Sequence, residues 1–388
     1  MYRLGILSTH PIQYYTPWYR ELAKVVDLQV FYCHRQSSED QRHSAFGVAF
    51  EWDIPLLEGY QAHFLTNHAE RPDVSSFRGC NTPQITEIIH QQQFDAFIVH
   101  GWYTRSFWQA MIACWQTCTP LMVRGDSHLL TPRNPAKRML KFMGYRTFIP
   151  RFDAYLVVGK RAQAYYRHYG APQRKMFFAP HSVDNSFFAE QSVALKTERR
   201  QLRASWGIPE HACVFLYAGK LAAHKRPDDY IKAITLAYHH NQSICGLIAG
   251  DGPMRSKLEQ IVRNQQLPIT FAGFLNQSNM PAAYAASNIL VVPSDETWGL
   301  VVNEAMASGL PAIVAHRAGC VPDLINPGRT GAIFSWGRPS ELAQHMLEMA
   351  TDQRATEHMG HIAQRHIQRY SAHMATAGTM QAIRSISP

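Results

Sequence analysis

Long apolar runs are missing from this 388-residue chain. No hydrophobic stretch approaches the ~20 residues that a membrane-spanning helix needs, which excludes a spanning segment. The opening Tyr2-Arg3-Leu4-Gly5-Ile6-Leu7-Ser8 is too short for the apolar region of a signal peptide and reads as a first strand, so a cytoplasmic location is expected. Cysteine is sparse and odd in number. Of the seven, only Cys114 and Cys118 are close, and no second pair sits at zinc-ligand spacing, so neither a disulfide framework nor a structural metal is indicated. Most should be buried as small hydrophobes. No two aspartates are separated by one residue, so the commonest paired-aspartate metal site is absent. Nothing repeats at a solenoid period.

What is present is an ordinary globular composition: 46% hydrophobic, 17% charged, and 38 Lys+Arg against 29 Asp+Glu for a net +9. With about 150 residues per domain as a guide, two domains are expected. Short apolar runs alternate with longer helical stretches, as in βα units on a parallel sheet. The first series of runs is Leu4–Leu7, Leu28–Tyr32, Ala96–Val99, Leu121–Val123 and Ala154–Val158. The second is Val214–Tyr217, Cys245–Ile248, Ile269–Phe271, Ile289–Val292 and Ala312–Val314. Between them Gln191–Arg203 is charged and polar, a linker candidate. The fold class is therefore α/β, with two Rossmann-like doubly wound sheets. Their ligands should bind at the carboxyl ends of strands.

The segment from Ser294 to Pro311 follows a buried run and opens a helix that Ser294, Asp295 or Thr297 can cap and that Gly309 and Pro311 close. Glu296 precedes this helix and Glu304 lies two turns inside it. Carboxylates accept hydrogen bonds from vicinal sugar or ribose hydroxyls, and free N–H groups around Gly299-Leu300-Val301 suit a phosphate. One turn and one helix can thus hold both ends of a sugar diphosphate; a capped helix with two solvated glutamates is the plainer alternative.

The pattern Glu296-x-Trp298-Gly299-Leu300-Val301-Val302-Asn303-Glu304-Ala305-Met306-Ala307-x-Gly309-x-Pro311 resembles the signature of retaining family-4 glycosyltransferases of GT-B fold. Gly219-Lys220 with Lys225 five residues on, Gly250-Asp251-Gly252-Pro253, Ala272-Gly273-Phe274-Leu275 and Pro180-His181-Ser182-Val183-Asp184 resemble further motifs in the same order. The resemblance implies two domains facing across a cleft: an acceptor-side domain at 1–190, a linker at 191–204, a donor-binding domain at 205–365, and a helical tail at 366–388 packing back on the first domain. It implies a nucleoside-diphosphate sugar as donor and co-substrate, with no separate cofactor. Glu304 would bind the ribose and Glu296 the donor sugar. Gly219, Gly252, Phe274, Leu275, Trp298, Gly299, Leu300 and Val301 would line the nucleotide site.

The chemistry suits those residue types. A departing nucleoside diphosphate gathers negative charge in the transition state, which Lys220 and Lys225 at a strand's carboxyl end can stabilise. Two lysines and a helix dipole would then stand in for a divalent ion, so no metal is expected. The resemblance favours attack on the face from which the leaving group departs, with the β-phosphate taking the acceptor's proton.

In the first half, His10 and Gln13 follow the first strand, where many relatives carry a Gly-Gly loop that this chain lacks; they are acceptor-side candidates, together with His128. His100 ends another strand. Asp126 stands where relatives commonly have a histidine touching the donor sugar; both are catalytic candidates. Between Arg133 and Arg151 there are six cations and no Asp or Glu, interleaved with Met139, Leu140, Phe142 and Met143. A solvated helix is one reading. Peripheral contact with anionic lipid on the inner face of a membrane is the other. No helix-turn-helix or aromatic pattern supports nucleic acid. Loops such as Phe46–Tyr60 and Trp102–Phe107 should set sugar identity.

The expected function is transfer of a sugar from a nucleotide donor to a glycan or lipid-linked glycan, which the resemblance places in cell-surface polysaccharide synthesis. A sugar-nucleotide epimerase or hydrolase on the same scaffold, and a non-catalytic nucleotide-sugar-binding subunit, are the alternatives.

Overall fold

The computed structural model describes residues 1–37 and 49–386; the 46–48 end of the loop singled out above lies outside them. The chain divides into two compact units, one formed by 1–36, 55–182 and 371–388, the other by 37–54 and 183–370.

The first unit is built on seven parallel strands: β1 (Arg3–Ser8), β2 (Asp27–Tyr32), β3 (Gln61–Phe64), β4 (Ala96–Val99), β5 (Leu121–Gly125), β6 (Ala154–Val157) and β7 (Met176–Phe178), in the order β3-β2-β1-β4-β5-β6-β7. The second has six: β8 (Cys213–Ala218), β9 (Ile244–Ala249), β10 (Ile269–Gly273), β11 (Ile289–Val292), β12 (Ala312–Ala315) and β13 (Gly331–Phe334), in the order β10-β9-β8-β11-β12-β13. Each is a doubly wound Rossmann-like sheet. Its strand order reverses between β1 and β4 in one unit and between β8 and β11 in the other, the points where such sheets open a crevice for ligands.

All ten expected runs are strands. The three that were not expected, β3, β7 and β13, lie at sheet edges. A central strand is covered on both faces and reads as an unbroken apolar run, whereas an edge strand can be polar in part or very short. Thus β3 is Gln-Ala-His-Phe with exposed and half-buried positions alternating, and β7 is only three residues long.

One face of the first sheet is closed by helices Gln84–Gln92 and Arg105–Thr117, through Ile85, Phe107 and Met111. The other is closed by Thr16–Ala23 and by the C-terminal helix Ala372–Ile386, through Trp18, Tyr19, Ala375 and Ile383. Gly378 makes this last packing feasible: a Cβ there would lie 1.8 Å from the Phe178 carbonyl oxygen, so helix backbone rests directly on β7. The part of the tail in the first unit begins at residue 371, whereas the preceding helix Gln353–Ile367 belongs to the second unit.

The stretch 191–204 is not a free linker. It lies in helices Asn185–Ala194 and Arg199–Ser205, inside the second unit. Its charge misleads because Arg203 is only 4% exposed and spends its guanidinium on the carbonyls of Ala286, Glu210 and Ala212 and on Asn288 Oδ1, at 2.5–3.0 Å. Six of the seven cysteines are buried and Cys118 is exposed. Among the described residues no helix is long and apolar enough to cross a membrane.

Candidate active site

In the second unit the chemistry-bearing residues meet where the strand order reverses. β8 and β11 run side by side, Tyr217 opposite Val291, so the turns leaving their carboxyl ends are neighbours. The turn after β8 carries Lys220 and, in a 3-10 turn at Ala223–Lys225, Lys225. It is held from beneath by Tyr217, whose hydroxyl donates to the Lys220 carbonyl at 2.9 Å. The turn after β11 carries Glu296. Lys225 Nζ lies 2.7 and 2.6 Å from its two carboxylate oxygens, and Ser294 Oγ donates to Oε1.

Burial alone would push the Glu296 carboxyl up. The Lys225 charge and hydrogen bonds, with Ser294 and His224, outweigh it, and the net shift is downward, so Glu296 is a carboxylate at neutral pH. Lys220 moves the other way. Burial, reinforced by Lys225 and only partly opposed by Glu296, brings it down to about 8.

The helix Leu300–Ala307 starts beside this pair. Its N-cap is Gly299 in the left-handed region (φ 102°), not a side-chain oxygen from Ser294, Asp295 or Thr297. Ser294 is turned instead to Glu296, and Asp295 pairs with Arg317 at 2.8 Å. An ideal Cβ on Gly299 would sit 3.5 Å from Glu296 Cγ, so the carboxylate lies directly against the helix start. Trp298 is buried and its indole N–H donates to Asn303 at 2.9 Å; its side chain fixes the loop. Amides of Gly319 and Cys320 hold the same loop through the Glu296 and Trp298 carbonyls. Glu304 is 3% exposed and accepts from the Tyr284 hydroxyl at 2.6 Å.

Three strand ends are laced together on the far side. Gly219 N–H donates to Ala249, Gly250 N–H to Gly273 and Leu221 N–H to Asp251. Gly250 must be glycine: at φ 153° a Cβ would lie 1.9 Å from the Gly219 oxygen. Gly252 faces the Leu221 backbone in the same manner. Phe274 packs on Phe50 with centroids 4.4 Å apart and the rings tilted by 39°, and the adjoining Asn276 and Ser278 bond Glu51 and Asp53. Leu275 is half-buried.

In the first unit His10 follows β1, His100 follows β4 and Asp126 follows β5, three neighbouring strands. His100 stacks on Tyr15 at 4.5 Å and its Nε2 is 2.9 Å from the Tyr19 hydroxyl. Burial, assisted by Arg124, holds it well below the usual histidine range, so it is neutral at pH 7. Burial also brings His10 down to about 4. Asp126 Oδ2 is 3.6 Å from His181 Nε2. His128 is buried and accepts from the Leu130 amide, which gives it a part in shaping its loop. Gln13 is half-buried in the turn before Thr16–Ala23.

Sequence reasoning did not single out Ser294, Tyr284, Tyr217 and Arg317 as site residues. A hydroxyl or a guanidinium that orients a carboxylate across the fold leaves no local spacing to read. Arg124 had a signal, a cation inside the apolar strand Leu-Met-Val-Arg-Gly. It is fully buried beneath the histidines, 4.5 Å over Trp18 and bonded to the Pro180 carbonyl.

Two doubly wound units with carboxylates, lysines and a helix N-terminus at the second switch point define the architecture of the GT-B glycosyltransferases. Residues 198–366 match the family described as glycosyl transferases group 1, and residues 19–187 match glycosyltransferase family 4. The chain belongs to these GT-B glycosyltransferases. A sulfoquinovosyl transferase of Arabidopsis thaliana is 31% identical over 50% of this chain and 37% of its own length. An alpha-D-kanosaminyltransferase of Streptomyces kanamyceticus is 31% identical over 42% and 43%. The alignment thus spans about two fifths of these relatives. The structure of HepE from Anabaena superposes with a TM-score of 0.73 at 16% identity, covering 99% of this chain and 100% of that one, a likeness of fold.

Proposed function

We propose that the chain is a retaining, metal-independent transferase that moves a sugar from a nucleoside diphosphate to a glycan or lipid-linked glycan, in cell-surface polysaccharide synthesis as the sequence resemblance implies. The carrying observation is the Lys225–Glu296 pair at the switch point, with Lys220 beside it and the Gly299 helix start against the carboxylate. Lys220 and Lys225 carry the charge that stabilises the leaving diphosphate, most strongly as the glycosidic bond breaks. The first-turn amides of Leu300–Ala307 add donors to the same anion. Glu304, set by Tyr284, takes the ribose; Glu296 orients the donor sugar's hydroxyls. The acceptor is assigned to the first unit, where His10, Gln13, His100 and Asp126 lie at or beside strand ends. No protein group is required as a base when the β-phosphate takes the acceptor's proton.

The test is a thermal-shift panel of UDP, GDP, ADP, dTDP and CMP with and without EDTA. HepE was solved with UDP, which puts UDP first. A ligand at a hundredfold its Kd adds ~2.7 kcal/mol of stability. One diphosphate should stabilise the wild type but not Glu304→Ala, with no loss in EDTA, and the transferred sugar should keep its anomeric configuration by NMR. Stabilisation that vanishes in EDTA refutes metal independence. Donor breakdown unaffected by acceptor favours the hydrolase or epimerase reading, and no response to any nucleotide removes the catalytic assignments.

A further inference from the structure

The helix Pro135–Phe148 is apolar on two opposite faces, and a surface helix needs only one. Its inner face is settled by contacts. Phe142, Tyr145 and Phe148 pack against the first unit's core, and Tyr145 accepts from the Trp102 indole at 3.0 Å. At 100° per residue the opposite face consists of Ala136, Met139, Leu140 and Met143, the i, i+3, i+4, i+7 spacing of a buried stripe. Here that stripe is in water: Met139, Leu140 and Met143 are 60%, 70% and 56% exposed, and no residue of the helix is buried. Leu129 and Leu130, in the loop just before, are exposed too. Large apolar side chains clustered on a surface mark a contact site, whereas scattered ones need no explanation.

The charge around the stripe selects the partner. From Ser127 to Phe152 there is no Asp or Glu, and six cations account for two thirds of the chain's net +9. Arg133, Lys137, Arg138, Arg146 and Arg151 are exposed. Arg146 and Arg151 also lean on the Phe142 and Trp115 rings while remaining exposed; Lys141 alone of the six is half-buried, its ammonium over the rings of Tyr145, Tyr165 and Tyr169. Apolar side chains ringed by exposed cations, with nothing acidic among them, match an interface that is greasy within and anionic at its rim. Nucleic acid would offer the anions without the apolar layer. A second copy would bring the same positive charge against itself.

We propose that the outward face of Pro135–Phe148, with Leu129 and Leu130, docks on an anionic lipid bilayer, Met139, Leu140 and Met143 entering the headgroup boundary and the five exposed cations engaging lipid phosphates. The proposal is independent of the transferase reading, because its test measures partitioning and not turnover.

The full chain is sedimented with sucrose-loaded vesicles of phosphatidylcholine alone and of phosphatidylcholine with a third phosphatidylglycerol, at low and at high salt. Binding is expected only with the anionic vesicles, falling roughly tenfold or more when salt is raised. Met139→Ser/Leu140→Ser/Met143→Ser should lower it by about tenfold or more, and so should Lys137→Gln/Arg138→Gln/Arg146→Gln. Because those side chains are already in water, both variants should keep the wild-type Tm, which separates lost docking from lost folding. Equal binding to neutral and anionic vesicles, wild-type binding by the serine variant, or no binding at low salt overturns the proposal. So does a wild-type dimer that the serine variant converts to monomer, since the stripe is then a subunit interface.

Discussion

Replacing Lys225 by methionine removes one ammonium that the structure engages twice over, structurally with Glu296 and, in the proposed reaction, with the leaving diphosphate. Both Glu296 oxygens lie within 2.7 Å of Lys225 Nζ, and the two side chains are 25% and 18% exposed. Breaking a fully buried pair costs about 3–5 kcal/mol and losing a charged hydrogen bond about 1.5–3, so a partly solvated pair should cost roughly 2 kcal/mol. In a unit of about two hundred residues that is a fall in Tm of roughly 4–8 °C.

The pH dependence carries a sign that a packing defect would not share. In the wild type Glu296 titrates below its ordinary value of 4.5, so its contribution is present above that pH and is lost as pH falls through the folded pKa. Without Lys225, burial is opposed far less and the folded pKa rises above 4.5. The variant then loses stability as pH climbs from 4.5 through that raised value. The Tm gap should therefore be full at pH 7 and close below pH 4.5, by calorimetry across the range. Turnover at saturating donor should fall by roughly 10²-fold or more, the scale of losing one transition-state donor. A variant that turns over within a few-fold of wild type refutes the diphosphate assignment, and a gap that does not narrow as pH falls below 4.5 refutes the electrostatic account of the pair.

Lys220 should show the reverse trade. Its pKa of about 8 against 10.5 means the unfolded chain binds more protons between those values, so the cost of burying it is full below pH 8 and relieved as pH rises to 10.5. Lys220→Met should then raise Tm at pH 7 while lowering turnover, and diphosphate binding near pH 8.5 should take up protons, readable by calorimetry in buffers of different ionisation enthalpy. Arg203→Met removes the side-chain donor from the Ala286, Glu210 and Ala212 carbonyls and leaves the Asn288 amide oxygen with only the Val214 N–H, and should lower stability by roughly 2–4 kcal/mol in urea titrations while leaving nucleotide affinity intact in whatever remains folded. Gly250→Ala sets a methyl into the Gly219 carbonyl and should cost both stability and nucleotide affinity, since the two strand ends must part; an unperturbed Tm would show that the loop yields freely.

The parts of the fold legible from sequence are those whose signal is local. Central strands such as β4 and β11 match their expected bounds because a doubly covered strand is apolar at every position. The unexpected strands are short and at edges: β3 alternates polar and apolar residues, and β7 and β13 are apolar but only three and four residues long. The charge-rich stretch at 191–204 reads as linker for a different reason. An arginine that satisfies buried carbonyls is chemically the same letter as one in water, and only the position of Ala286, 83 residues away, distinguishes them.

The same division runs through the candidate site. Spacing alone placed Glu296 before a helix and Glu304 within it, placed Lys220 and Lys225 after a strand, and exposed the acid-free stretch around Pro135–Phe148. Each of these is a statement about neighbours along the chain. Tertiary structure decided that Lys225 pairs with Glu296 across 71 residues, that Tyr284 orients Glu304, that His128 is turned into its own loop and that Met139, Leu140 and Met143 point away from the core. Charge partners and burial arise when strands distant in sequence become adjacent in a sheet, and no period within one segment records them.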